Sequence, residues 1–360
     1  MIEILVNLGP RSYPILLGAG ALAAVGPELV KRKVGRKVVL VTDAGVARLH
    51  GGDVVRSLGH AGFDTVQVPV PEGEEAKRLD IAATLWERLL DAGCDRTSTV
   101  VALGGGAIGD VAGFVAATFM RGMNFVQVPT TLLAQVDASI GGKTAIDHPR
   151  GKNLIGAFHQ PRAVIVDPAV LTTLSDREFR SGLAEVIKHG IVLDADYFRD
   201  LESNVPSLLT RDLAILERIV VGSCRLKARV VEHDEHDAEL RWVLNYGHTI
   251  GHALEAATGF RRWVHGEAVS LGVVAESRLA ERLGICSPAT ANRQLRLLAA
   301  VGLPVTGLQV EPASVIDALS RDKKTRDGRT SFVLAPEIGS FRIVPDVPSD
   351  AILEILKELR

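Results

Sequence analysis

In its first half the chain alternates short β-branched runs with segments of helical period. The runs VVLVTD ending at Asp43, VQVPV ending at Val70, STVVALG ending at Gly104, FVQVP ending at Pro129 and AVIVD ending at Asp167 have the length and composition of buried strands. Strands alternating with helices predict a parallel sheet covered by helices. Ahead of them, residues 2–8 and 13–17 flank Gly9-Pro10-Arg11 and predict a hairpin. From Asp176 onward the apolar positions recur at helical spacing, as in Leu213, Leu216, Ile219, Val220 and Leu226, and β-branched runs nearly vanish until residues 331–334. The pattern predicts an α/β domain over residues 1–171 and a mostly helical domain over 172–360. Residues 137–158, rich in Gly and Lys, are expected at the mouth of a cleft.

Composition narrows the function classes. The 360 residues are 47% hydrophobic and 23% charged, as in soluble globular proteins of two domains. A formal net charge of -2, without a dense basic block, gives no reason to expect nucleic acid or an anionic membrane as partner, so small molecules are the expected ligands. The start, MIEILVNLG, alternates like a strand and lacks the basic and apolar regions of a signal peptide. Residues 100–120 are apolar enough to suggest a membrane span, but three consecutive glycines and Asp110 read better as strand, turn and helix. Cys94, Cys224 and Cys286 lie far apart without CxxC spacing, which suggests neither disulfides nor a thiolate metal cage and fits a reducing, cytoplasmic setting.

Two stretches carry candidate chemistry. GGGAIGD contains G-x-G-x-x-G at Gly104, Gly106 and Gly109, between a strand and an apolar helix, where bare backbone and a helix N-terminus suit a pyrophosphate. Such turns also serve close packing. The acidic ribose ligand of the usual Rossmann unit is missing from residues 121–136, so this is not the standard fingerprint. Asp43 is a candidate for ribose contact and equally for a helix N-cap.

In the second half, Glu185 and Lys188 in GLAEVIKHG share a helix face, either as a surface ion pair or, given their apolar neighbours, as charges turned into a cleft. In LNYGHTIGHALE, His248 and His252 at i and i+4 are placed to reach one metal ion, with His265 of VHGEAV as a third candidate. Any single histidine is more often structural. Two His and one Glu would leave a coordination position open, as catalytic zinc sites do. Lys143, Lys152, Lys188, Lys227, Arg241, Lys323 and Lys324 would each pass for solvated surface, but together they suggest a pocket for phosphate and carboxylate. Dinucleotide, metal and anion clamps point to alcohol oxidation on a phosphorylated acid.

The motifs PEGEEAK, GGGAIGD, MRG, VPTTLLAQVDASIGGKTAID, GKNLIGAF, GLAEVIKHG, LNYGHTIGHALE, HGEAV and RDKK stand in the order of the 3-dehydroquinate synthase family, which the chain resembles over nearly its whole length. The resemblance implies a Rossmann-like NAD-binding first domain and a helical metal- and substrate-binding second domain. It implies that Glu185, His248 and His265 hold zinc (cobalt being an alternative), so the His248 and His252 pair suggested by spacing is not the ligand pair, and His252 is a substrate-side catalytic residue. It implies NAD contacts from Asp43; from Glu72, Gly73, Glu74, Glu75, Ala76 and Lys77; from Gly106, Ala107, Ile108, Gly109 and Asp110; from Thr130 and Thr131; and from Val170, Leu171, Thr172 and Thr173, with Lys143 and Lys152 near the nucleotide or phosphate. Lys227 and Arg241 resemble carboxylate binders. Lys152, Asn153, Asn245, Lys323 or Lys324, and the partner subunit's Arg121 in a homodimer resemble phosphate contacts, and Asp137 and Lys188 would flank the hydroxyl being oxidised.

The family reaction turns 3-deoxy-D-arabino-heptulosonate 7-phosphate into 3-dehydroquinate and phosphate in the shikimate pathway to aromatic amino acids. Transient oxidation by NAD acidifies a neighbouring C–H so that phosphate leaves; re-reduction, ring opening and an intramolecular aldol step then close the carbocycle. Three positions depart from the family pattern: Gly45 in place of Asn, Tyr246 in place of an aliphatic residue, and Glu239 in place of Gly. Within the same fold, sugar-phosphate cyclases act on substrates without a carboxylate and polyol dehydrogenases release no phosphate. Arg241 and Lys227 speak against the first and Lys152, Asn153 and Lys324 against the second, while the metal ligands and Lys188 speak against a non-catalytic NAD binder.

Overall fold

The computed structural model describes residues 1–237, 240–320, 325–326 and 329–360. Lys323, Lys324 and Glu239 lie outside the described residues. The chain forms two compact units, Met1–Leu174 with Leu216–His236, and Ser175–Ile215 with Asp237–Arg360. Where sequence reading expects one crossing near residue 172, the chain thus leaves the first unit, returns and leaves again.

The first unit is built on a seven-stranded sheet. β1 (Ile2–Val6) and β2 (Tyr13–Leu17) form the expected hairpin around Gly9–Arg11, and β1 is the one antiparallel edge strand. β3 (Lys37–Asp43), β4 (Asp64–Val70), β5 (Thr99–Gly104), β6 (Asn124–Pro129) and β9 (Ala163–Val166) pair in parallel with β2 in the order β1-β2-β9-β6-β5-β3-β4. The central strands are apolar on both faces because both faces are covered. α4 (Leu79–Asp91) and α5 (Gly106–Thr118) pack one side through Leu85, Leu89, Val111 and Val115, and α1 (Val25–Lys31) and α3 (Gly52–His60) the other through Leu29, Val54 and Leu58. α2 (Ala44–Val46) is one turn after β3. Between β6 and β9 the Gly- and Lys-rich stretch folds as a separate hairpin, β7 (Lys143–His148) with β8 (Gly151–Phe158). Its own side chains gave no alternation from which to expect strands.

The second unit contains α6 (Asp176–Leu193), α7 (Ala195–Ser203), α8 (Val205–Leu209), the start of α9 (Leu213–His233), α10 (His248–Ala257), α11 (His265–Arg282), α12 (Pro288–Ala300), α13 (Pro312–Ser320) and α14 (Ser349–Glu358). A small sheet of β10 (Thr325–Arg326), β11 (Arg329–Leu334) and β12 (Arg342–Val347) completes it. From Leu216 onward α9 belongs to the first unit, where the Cys224 thiol, fully buried and pushed up to about 12 by that burial, donates to the Gln135 carbonyl at 3.3 Å. All three cysteines are buried free thiols. Among the described residues, no helix is long and apolar enough to cross a membrane.

Candidate active site

In the first unit, strand order reverses between β3 and β5: the chain leaves β3 outward to β4, then returns to the other side of β3 and continues to β6. In open parallel sheets the crevice at such a switch, beyond the carboxyl ends of the strands, is where nucleotides bind. Here those ends are Asp43 and Gly104. Gly105 is the N-cap of α5 and brings no side-chain cap, so the N–H groups of Gly106, Ala107 and Ile108 have no acceptor within the helix and the positive end of its dipole opens on the crevice. The glycines divide their roles. A Cβ on Gly104 would lie 2.6 Å from Ile108 and one on Gly109 2.6 Å from Gln127, so these two serve close packing; Gly106 faces only the Ala138 methyl, at 3.2 Å. Asp43 accepts the Val46 N–H at 2.9 Å, the N-cap of the two readings its position allows.

Around this crevice lies a charged network. The Lys77 ammonium, 2% exposed, donates to Asp110 Oδ2 at 2.7 Å and to the Asn153 side-chain oxygen, with Asp147 at 3.8 Å. Burial pulls the Lys77 pKa down, but Asp110, Glu74 and Asp147 outweigh it and leave it raised; burial raises that of Asp110 against the pull of Lys77. Asn153 sits on β8 with φ of 56°, its N–H donating to Asp147 at 2.9 Å, and Lys152 lies 3.6 Å from Glu74. Glu72, Gly73 and Glu75 are exposed and Ala76 buried on the turn that delivers Lys77, while Lys143 is exposed at the start of β7. The Thr130 N–H donates to the Gly104 carbonyl at 2.9 Å, and the Thr131 hydroxyl accepts from Ala134 at 3.2 Å. Val170 and Leu171 are buried, the Thr172 hydroxyl donates to Ala169 at 2.7 Å, and Thr173 meets His50 Nε2 at 3.0 Å. Lys227 of α9 pairs with Asp137. Arg121 is exposed in a turn whose residues Met120, Arg121 and Gly122 all have positive φ.

In the second unit, three helices bring donors to a point. Glu185, on α6, is fully buried, which removes the surface ion-pair reading. His248 Nε2 lies 3.3 Å and His265 Nε2 3.4 Å from the same Glu185 oxygen. The Lys188 ammonium forms a buried ion pair with Glu185 Oε2 and donates to the Leu244 carbonyl at 2.8 Å, while Glu185 Oε1, which faces the two imidazoles, accepts no hydrogen bond. A carboxylate so placed, with two imidazole nitrogens converging on it, has the hard and borderline donors that zinc or cobalt takes up and would leave a position open. The His248 ring is set by its Nδ1, 3.1 Å from the Tyr246 carbonyl.

Close approach of these helices depends on glycine. A Cβ at Gly266 would lie 2.0 Å from the Ser181 carbonyl oxygen, and one at Gly272 1.9 Å from that of Gly247. Gly247, at φ of 78°, turns the chain into α10, and Glu276 of α11, fully buried, receives the N–H of Gly247 at 2.6 Å and that of Ile250 at 3.4 Å. Glu276 thus caps the helix that begins with His248. Its only signal in the sequence is an acid within the apolar face of VVAES. Beneath the same turn the buried Tyr246 hydroxyl donates to Gln294 Oε1 at 2.6 Å.

Burial pushes the Glu185 carboxyl up, but Lys188 and His248 overcome it and hold it well below the ordinary range. Burial and Lys188 lower the pKa of His248 against the attraction of Glu185. Burial also opposes protonation of His265, yet Glu185 and Glu255 together raise it to about 10. His252, the partner that spacing offered to His248, is exposed, its ring centroid 5.2 Å from that of His248. Arg241 is buried and Asn245 half-buried on the turn preceding Tyr246.

Two family models match consecutive stretches, 3-dehydroquinate synthase N-terminal over residues 65–181 and 3-dehydroquinate synthase C-terminal over residues 182–325. A protein named 3-dehydroquinate synthase from Desulforamulus reducens is 47% identical over 358 residues, 99% of each chain. One of the same name from Pelotomaculum thermopropionicum is 49% identical over 352 residues, 98% of this chain and 95% of the other. Among solved structures, 2-deoxy-scyllo-inosose synthase complexed with carbaglucose-6-phosphate, NAD+ and Co2+ superposes with a TM-score of 0.90 at 26% identity, covering 100% of both chains. The 2-epi-5-epi-valiolone synthase of Streptomyces hygroscopicus with NAD+ and Zn2+ bound gives 0.89 at 26% identity, covering 100% of this chain and 99% of the other.

Proposed function

The chain belongs to the 3-dehydroquinate synthase family, and we propose that it converts 3-deoxy-D-arabino-heptulosonate 7-phosphate into 3-dehydroquinate and phosphate. It is an enzyme, a phosphate lyase acting on a small molecule, and it uses NAD and a divalent metal, zinc or cobalt. The observation that carries this reading is the convergence of Glu185, His248 and His265 beside Lys188. When bound, NAD accepts and returns a hydride while the ion acidifies the hydroxyl that is oxidised.

The chain's own residues do the rest. The open crevice end of α5 receives the pyrophosphate on the N–H groups of Gly106, Ala107 and Ile108. Lys188 and Asp137 hold the hydroxyl to be oxidised, and His252, exposed one turn after His248, exchanges protons with the substrate. Arg241 offers a planar fork and Lys227 a point charge to the carboxylate. Lys152, Asn153, Asn245 and the partner subunit's Arg121 hold the phosphate, in a homodimer working in the cytoplasm. Holding one conformer through elimination and ring closure is where the protein contributes most to rate.

A sister cyclase would accept a carboxylate-free heptulose 7-phosphate; buried Arg241 has no use there. Replacing Glu185→Ala tests the assignment. Zinc binding and turnover should both be lost while NAD affinity stays within about twofold, since the nucleotide crevice lies in the other unit. Retained turnover with zinc binding intact would remove the metal from the Glu185 cluster.

A further inference from the structure

Besides the trio on Glu185, a second set of donors, His252, Glu255 and His265, comes within 4.8 Å, with His265 common to both. A neutral imidazole carries a single lone pair, on one nitrogen, while the other holds the proton. His265 therefore serves one of the two sets as a ligand and the other only as a donor. Its Nε2 lies 3.4 Å from Glu185 Oε1, and its Nδ1 lies 3.6 Å from Glu255 Oε1. Glu185 is fully buried, its Oε2 paired with Lys188 and its Oε1 accepting no hydrogen bond, whereas His252 is exposed, so the ligand end is the one that faces Glu185.

We propose that Glu255 is a positioning residue of the metal centre: its carboxylate accepts from the Nδ1–H of His265 and so keeps the proton on that nitrogen, leaving Nε2 as the one that gives up its proton to bind the ion. This rests on the metal reading of Glu185, His248 and His265. Glu255 is 7% exposed and stands two helical turns after His248 on α10, so one helix supplies both a ligand and the group that orients the next ligand on α11. The two imidazoles are then treated alike. His248 presents Nδ1 to the Tyr246 carbonyl and Nε2 to Glu185; His265 presents Nδ1 to Glu255 and Nε2 to Glu185. The carboxylate also raises the basicity of the nitrogen that binds the metal.

The test is zinc affinity of the stripped full-length protein, measured by competition with a chromophoric chelator, for wild type, Glu255→Ala, Glu255→Gln and Glu185→Ala. Glu255→Ala should weaken zinc roughly 10- to 100-fold, the usual effect of losing such a partner. Glu255→Gln keeps the size and an acceptor oxygen, and should recover affinity to within about fivefold of wild type. Alanine binding zinc as wild type does, or glutamine binding as poorly as alanine, overturns the role of Glu255 while leaving the metal centre standing. Equal zinc binding by wild type and Glu185→Ala overturns the metal reading itself, and this inference with it.

Discussion

Replacing Gly272→Ala would add one methyl group where α10 and α11 touch. The new Cβ would lie 1.9 Å from the Gly247 carbonyl oxygen, 2.8 Å from the Gly247 carbonyl carbon and 2.9 Å from the Gly251 nitrogen. All three are backbone atoms, so no rotamer change relieves the overlap. Restoring ordinary contact requires the helices to part by about 1.5 Å, and overpacking of this kind costs on the order of 3 kcal/mol. The displacement reaches the site directly, because Gly247 immediately precedes His248 and α11 begins with His265. It also pulls the Gly247 N–H from Glu276, to which it donates at 2.6 Å. A misplacement of roughly 1 Å at a reacting centre lowers rate by about 100-fold. Thermal unfolding, zinc competition and turnover should therefore all fall together in Gly272→Ala. Gly59→Ala on α3, whose added Cβ would meet nothing within 4 Å, should be neutral or slightly stabilising. Wild-type stability and zinc affinity in Gly272→Ala would refute the close-packing argument.

Two further changes probe the first unit. Lys77→Met removes the cation shared by Asp110, Asn153 and Asp147, and should cost about 3 kcal/mol by denaturant unfolding while zinc affinity is unchanged; an unaffected transition would show that the network contributes nothing. Burial lowers the pKa of His159 below its ordinary 6.5, although its ring bonds the Met123 carbonyl at 2.9 Å. Below pH 6.5 the unfolded chain takes up that proton before the folded one does, so stability falls as pH drops from 7 to 5. His159→Gln should flatten this slope; an equal slope would contradict the assignment.

The parallel sheet was legible in the sequence because its central strands, such as VVLV and VVAL, are covered on both faces and read as unbroken apolar runs. The β7–β8 hairpin was not, since residues 154, 155 and 158 leave large apolar side chains exposed and break the usual inward and outward alternation. α9 was expected as a helix, but which unit it joins depends on partners such as Gln135 and Asp137, far away in the chain. Spacing within LNYGHTIGHALE suggested His248 with His252, because i and i+4 share a face; the structure instead gathers donors from α6, α10 and α11, a meeting that no local period encodes. Glu276 and Glu255 went unnoticed for the same reason, each acting across a helix interface on a residue whose motif drew attention first.

The most direct measurement of the central claim is to incubate the zinc-loaded protein with 3-deoxy-D-arabino-heptulosonate 7-phosphate and catalytic NAD, following phosphate release and identifying the product by NMR. Phosphate and 3-dehydroquinate should appear in equal amounts with NAD unconsumed. Release of phosphate only from a carboxylate-free heptulose 7-phosphate, or net accumulation of NADH without phosphate, would contradict the account.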